Sequence, residues 1–224
     1  MIDKYFGFKT INNEQSIVDS IIEHSRIDEE ELLLLHEMIL SLCNGNLVEV
    51  EDLSFKISKI RVDSNQTFEF IEEQIIQSHF DFQKQYDFLR IYQRIESISS
   101  SILKCSDHIL LLNRINGKLP TQCHGLIKEL IENLIYNHNL FKEALLKYES
   151  SKHDVISIIH NIIEKEAKIN DIYFTAIENL YELANNQKLL MGHFRAIENI
   201  FISCEKIGNT IEQAATSLEW LLIN

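Results

Sequence analysis

Residues 50–68 read VEDLSFKISKIRVDSNQTF, and residues 155–174 read VISIIHNIIEKEAKINDIYF. Set side by side, Val50, Leu53, Ile57, Asn65 and Phe68 fall on Val155, Ile158, Ile162, Asn170 and Tyr173, a constant offset of 105. The following long segment repeats too. Ile91, Tyr92, Glu96, Ile98, Ile102, Ile109 and Leu112 fall on Ile200, Phe201, Glu205, Ile207, Ile211, Leu218 and Leu221, an offset of 109. Apolar coincidences are common between amphipathic helices, so the polar matches, Asn65 with Asn170 and Glu96 with Glu205, carry the argument. A chain that repeats one helical hairpin predicts a duplicated bundle, with each site in one half matched by a position in the other.

Composition agrees with an all-α fold. One proline and six glycines in 224 residues are too few for the turns and corners of a sheet protein. The only strong breaker cluster is NGKLPT, which holds Gly117 and Pro120. Apolar stripes at spacing three and four mark the long helices, for example Phe88, Ile91, Ile95, Ile98, Ile102, Cys105, Ile109 and Leu112. Six helices are predicted: about 13–43, 46–78, 81–115, 121–148, 151–184, and from beyond Asn186 to the C-terminus. The first is expected to break near Ser25 to Asp28, because Asp28 followed by Glu31 has the form of a capping box. Asn44-Gly45, Asn116-Gly117 and Asn185-Asn186 are the predicted stops. The architecture implied is two antiparallel three-helix bundles, residues 1–116 and 120–224, packed as one compact unit.

Several function classes fall away on composition. The net charge is −13 and the pI about 5.1, which argues against a nucleic-acid footprint of clustered Lys and Arg. The longest aliphatic run is Leu32 to Leu35, far short of the roughly 20 residues of a membrane span. The start, MIDKYFGFKTINNEQ, lacks a cationic region followed by an apolar core, so no secretory signal is expected. Cys43, Cys105, Cys123 and Cys204 are widely spaced without Cys-x-x-Cys and read as reduced thiols of a cytoplasmic protein. Nine histidines form neither His-Glu-x-x-His nor Glu-x-x-His. His153 and His160 are the nearest thing to a pair and read as surface or core-edge residues. Gly125, Gly192 and Gly208 are solitary, so no phosphate-cradling loop is visible.

Long helices in two repeated three-helix bundles, with polar positions matched between them, resemble the PhoU-like family of phosphate-transport accessory proteins. The likeness is to the branch found beside low-affinity phosphate permeases. In that family Glu or Asp, three residues, then Asp recurs on paired helices and holds iron, zinc or nickel clusters. The spacing has a physical reason, since residues i and i+4 lie on one helix face and two such pairs can direct four carboxylates at hard cations. Carried over, the motif falls on Arg61 to Asn65 with Asp63 inside it, Glu96 to Ser100, Glu166 to Asn170 with Asp171 just beyond, and Glu205 to Asn209. Every copy has lost the closing Asp. The inherited positions are Arg61, Asn65, Ser100, Asn170 and Asn209. The acids left for a metal are Glu166, Asp171 and Glu205 in the second half, and Glu96 and Asp63 in the first.

The resemblance implies a non-enzymatic cytoplasmic regulator that meets a phosphate permease, or an associated sensory protein, at the inner membrane face. A homodimer is compatible with it. No cofactor is expected beyond weak divalent or ferric binding, and the first bundle is expected to hold no metal. A metal protein using Glu166, Asp171 and Glu205 is the alternative reading; a helical scaffold for another partner is a third. Asn170 and Asn209 are expected to hydrogen-bond across the fifth and sixth helices.

Overall fold

In a computed structural model describing residues 14–223, the chain forms six helices: α1 Glu14–Asn44, α2 Leu47–Ile76, α3 Phe82–Arg114, α4 Thr121–Lys147, α5 Lys152–Asn185 and α6 Met191–Ile223. The described residues contain no strand, and none of their helices is long and apolar enough to cross a membrane. The signal-peptide reading of the N-terminal stretch falls largely outside the described residues.

Local chemistry sets the boundaries. Asn46, Asp81 and Ser151 cap α2, α3 and α5, each side chain accepting from the backbone N–H three residues on. At the end of α1, Gly45 takes φ +73° while its N–H bonds Leu42 and that of Asn46 bonds Ser41. This is a Schellman stop, and the left-handed residue is glycine for the usual steric reason. α3 and α5 end in the same hydrogen-bond pattern, but their left-handed residues are Asn116 (φ 54°) and Gln187 (φ 56°). At the α3 stop glycine serves a second purpose: a Cβ on Gly117 would lie 2.3 Å from Leu112 Cδ1 and 3.1 Å from the Leu112 carbonyl.

α1 departs from the sequence expectation. It runs unbroken through Ser25 to Asp28, and Asp28 and Glu31 are not caps but fully buried helix-interior residues. The apolar stripe Ile17, Ile21, Leu35, Met38 and Leu42 continues at its own spacing through His24, Asp28 and Glu31, which take core positions.

α1, α2 and α3 touch one another, as do α4, α5 and α6. Between these sets α1 meets α4 and α3 meets α6, while α2 and α5 touch only their own set. The result is a central ring, α1–α3–α6–α4, flanked by α2 and α5. Both cross-contacts are antiparallel. Val18 and Ile21 of α1 share a small gap with Leu145 of α4 and Tyr148 at its C-terminal cap, and Phe88 and Ile91 of α3 share it with Leu218 and Leu221 of α6. Further along, Cys105 Sγ lies 3.6 Å from Cys204 Sγ.

Burial follows the repeat. Val50 and Val155, Ile57 and Ile162, Tyr92 and Phe201, Ile98 and Ile207, Ile102 and Ile211, and Leu112 and Leu221 are buried in both halves. The first helix of each half joins the pattern at an offset of 110: Ile17 with Ile127, Ile21 with Ile131, and Leu35 with Leu145 are all buried. At that offset His24, Asp28 and Glu31 correspond to Leu134, His138 and Phe141, again all buried. One half therefore carries three polar residues where the other carries one.

Candidate functional site

The residues carried over from the motif lie where α2 meets α3 and where α5 meets α6. In the first half, the Arg61 guanidinium donates to the Glu96 carboxylate, tying α2 to α3 in a half-buried ion pair. Asp63 and Asn65 are exposed and Ser100 is half-buried. The guanidinium already neutralises Glu96, so this carboxylate offers no unpaired charge to a metal cation.

In the second half, Asn170 Nδ2 donates to Glu166 Oε1 at 2.7 Å, and Asn209 Nδ2 donates to Glu205 Oε1. Each bond lies within one helix, so the asparagines do not pair across α5 and α6. The reason is spacing: a residue one turn away is the nearest partner on a half-buried face. Burial raises the Glu166 pKa, and the charges of Glu212 and Glu205 raise it further. Three carboxylates of α5 and α6 thus share one electrostatic field. Asp171 is exposed and outside this group. Among the described residues no three His, Cys, Asp or Glu side chains are arranged to hold a metal ion.

The more unusual site lies deeper, between α1, α3 and α4. His24, Asp28 and Glu31, on one face of α1, are each fully buried. His24 Nδ1 lies 3.1 Å from the Tyr92 hydroxyl, and Tyr92 stacks on Phe68 at 5.0 Å between ring centroids. Ser99 donates to Glu31. Asp28 Oδ2 lies 4.0 Å from Nε2 of His138, which α4 supplies. Several polar atoms in this cluster have no hydrogen-bond partner among the described residues: both Asp28 oxygens, Glu31 Oε1, His24 Nε2, Ser25 Oγ, one Arg61 nitrogen and both His138 ring nitrogens.

Burial in low dielectric disfavours charge, and here it governs every titratable group. The Asp28 carboxyl is pushed well above its ordinary range by burial and by Glu31; Arg61 opposes the shift. Glu31 is raised to about 7, chiefly by burial, against the Ser99 hydrogen bond and Arg61. His24 is lowered to about 4 by burial and then Arg61, and His138 to about 3 by burial and then Lys142. Proximity suggests an ion pair between Asp28 and His138, but both shifts run away from the charged forms. Burial therefore favours the neutral acid and the neutral imidazole at this contact. Chemically, the cluster holds protons on two acids at pH values where exposed carboxylates have lost theirs.

Sequence reasoning placed none of His24, Asp28, Glu31, Tyr92, Ser99 and His138 in a site, because Asp28 and Glu31 fit a helix cap. The readable signal was the α1 stripe, whose spacing admits no break at Ser25.

No protein-family model matches the sequence, and no curated protein matches it in sequence. Solved structures do match in fold. A PhoU-like protein from Shewanella oneidensis MR-1 aligns with a TM-score of 0.79 and 13% identity, over 92% of this chain and 99% of its own. Another structure from that organism, described as a PhoU-like phosphate regulatory protein, aligns at 0.76 and 13% identity with the same coverage of both chains. PhoU from Pseudomonas aeruginosa aligns at 0.71 and 12% identity, over 93% of this chain and 96% of its own. The chain has the PhoU-like all-α fold.

Proposed function

We propose that the chain is a regulator of phosphate transport that works in the cytoplasm by protein contact rather than catalysis. The observation that carries this reading is the fold, shared over more than nine-tenths of the chain with PhoU-like proteins, one of them described as phosphate regulatory. Fold alone does not dictate function, so a surface feature matters beside it. On the outward side of α2, Val48, Phe55 and Val62 are about 70% exposed at a spacing of seven residues. A repeat of that length keeps successive side chains on one helix face, the form in which a helix meets another helix. The partner is a phosphate permease or an associated sensory protein at the inner membrane face. Deletion of the gene followed by measurement of phosphate uptake, in phosphate-replete and starved cells, tests the proposal. Uptake and starvation response identical to the parent in both conditions would overturn it.

A second reading, weak binding of divalent or ferric metal in the second half, is favoured by the field shared among Glu166, Glu205 and Glu212. Elemental analysis of protein purified without chelator, with a Glu166→Gln and Glu205→Gln variant as control, separates this reading from the first. Equal metal content in variant and parent would remove it.

A further inference from the structure

A hollow of about 380 Å³ runs along α3, lined by Tyr86, Leu89, Arg90, Gln93, Arg94 and Ser97. These positions recur at three and four residues, so their side chains project from one helix face. Arg90 and Arg94 are one turn apart and both half-buried. Among the described residues neither has an ion-pair or hydrogen-bond partner. That is unexpected in a chain with 34 acidic and 21 basic residues. Arg26, Arg61 and Arg195 each hold a carboxylate. Two like charges at this spacing repel, and partial burial strengthens the repulsion. An anion held by both guanidinium groups would relieve that repulsion.

The remaining lining narrows the chemistry. Gln93 Nε2 is committed to Glu72 of α2 at 3.0 Å, and Ser97 Oγ to the Gln93 carbonyl at 2.8 Å. The Glu72 charge repels an anion from the α2 side, leaving Arg90, Arg94 and the Tyr86 hydroxyl as the free donors. Paired guanidiniums match the oxygens of a tetrahedral dianion bidentately. The half-exposed Tyr86 ring and Leu89 add an apolar wall, and the volume lies in the range of small-molecule clefts. We propose that this hollow is a phosphate-binding site, taking the phosphate group of inorganic phosphate or of a small phosphate monoester. The site is independent of the proposed protein contact, and binding to the purified chain tests it alone.

The experiment is isothermal titration at neutral pH, with ionic strength fixed by chloride, using inorganic phosphate, AMP as the monoester, and sulfate. Phosphate or AMP is expected to bind saturably, with an affinity at least about tenfold weaker in the Arg90→Gln, Arg94→Gln double variant. Arg114→Gln, which removes an arginine outside the hollow, should leave binding unchanged. AMP tighter than phosphate by about tenfold or more assigns the hollow to a monoester, and equal affinities assign it to the phosphate group alone. Should melting show that the double variant misfolds, Arg90→Lys with Arg94→Lys retains charge, loses the bidentate fork and is expected to weaken binding too. The proposal is overturned if neither ligand binds below about 10 mM, if folded variants bind like the parent, or if sulfate binds as tightly as both.

Discussion

Asp28 and His138 occupy equivalent positions in the two halves of the chain and face each other, Oδ2 to Nε2, at 4.0 Å. They mark the middle of the α1–α4 contact, where an approximate twofold relation between the halves places matching residues together. Each is fully buried and each is driven towards its neutral form. Stability should therefore depend on pH in a way that reports on the cluster.

For the acids the folded pKa lies above the unfolded one. Their contribution is fully present below the unfolded value and is lost as the pH rises, for Glu31 from about 4.5 through about 7. For His24 and His138 the folded pKa lies below 6.5, so their contribution is lost as the pH falls towards about 4 and about 3. The two trends oppose each other between about pH 5 and 6.5 and leave a plateau flanked by declines. Chemical denaturation across pH checks this. Stability rising steadily from pH 6 to 8 would contradict it.

Glu31→Gln keeps the neutral, hydrogen-bonding shape and removes the Glu31 share of the alkaline loss, leaving that of Asp28. At pH 8 the variant should exceed the parent by up to about 3 kcal/mol, from 1.36 kcal/mol per pKa unit, and the gain should vanish near pH 5. Parallel denaturation curves at the two pH values decide. A gain independent of pH would place the effect in packing rather than protonation.

Gln187 holds a left-handed backbone at the α5 stop. Gln187→Gly should stabilise the chain by about 1 kcal/mol, the cost of placing a Cβ in that conformation. The corresponding rise in melting temperature is about 2–4 °C. An unchanged or lower melting temperature would mean that the side chain contributes more than its backbone costs.

Asn170 and Asn209 each donate to a glutamate on their own helix. Replacing each by Leu, and then both, should therefore give small losses that add within about 0.5 kcal/mol. Asn170→Asp with Asn209→Asp places two more charges where Glu166, Glu205 and Glu212 already interact. That variant should melt lower in chelator and recover with ferrous, nickel or zinc ions. Melting unaffected by metal would show that the four motif acids do not converge.

Phe55 is 71% exposed on α2. Phe55→Glu should leave stability within about 0.5 kcal/mol of the parent, as surface changes do, while weakening partner capture from native cells. Capture at the parental level would exclude this face of α2 from the contact.

The repeat was legible because buried positions in long helices must be apolar, and two copies of one hairpin keep those positions in step. Val50 with Val155 and Ile102 with Ile211 show this directly. The buried cluster was not legible for the opposite reason. Asp and Glu three residues apart ordinarily mean a helix start, and only the neighbouring stripe, Ile21 before and Leu35 after, says that the helix continues. The partner of Asp28 was further out of reach, since His138 lies 110 positions away on another helix. The motif acids were placed by spacing alone, which fixes a helix face but not its neighbours. Glu96 is held by Arg61, whereas Glu212, outside the motif, joins the field around Glu166.

The unequal halves of the α1–α4 contact also bear on how this chain could assemble by exchange. A swapped dimer that joined two first halves through α1 would set Asp28 against Asp28, with His24 and Glu31 duplicated beside them. One that joined two second halves through α4 would set His138 against His138. Either self-pairing replaces the acid–imidazole contact by two like groups. Each half thus meets an unlike residue in the other, and exchange between copies would change the chemistry at the centre of this buried contact.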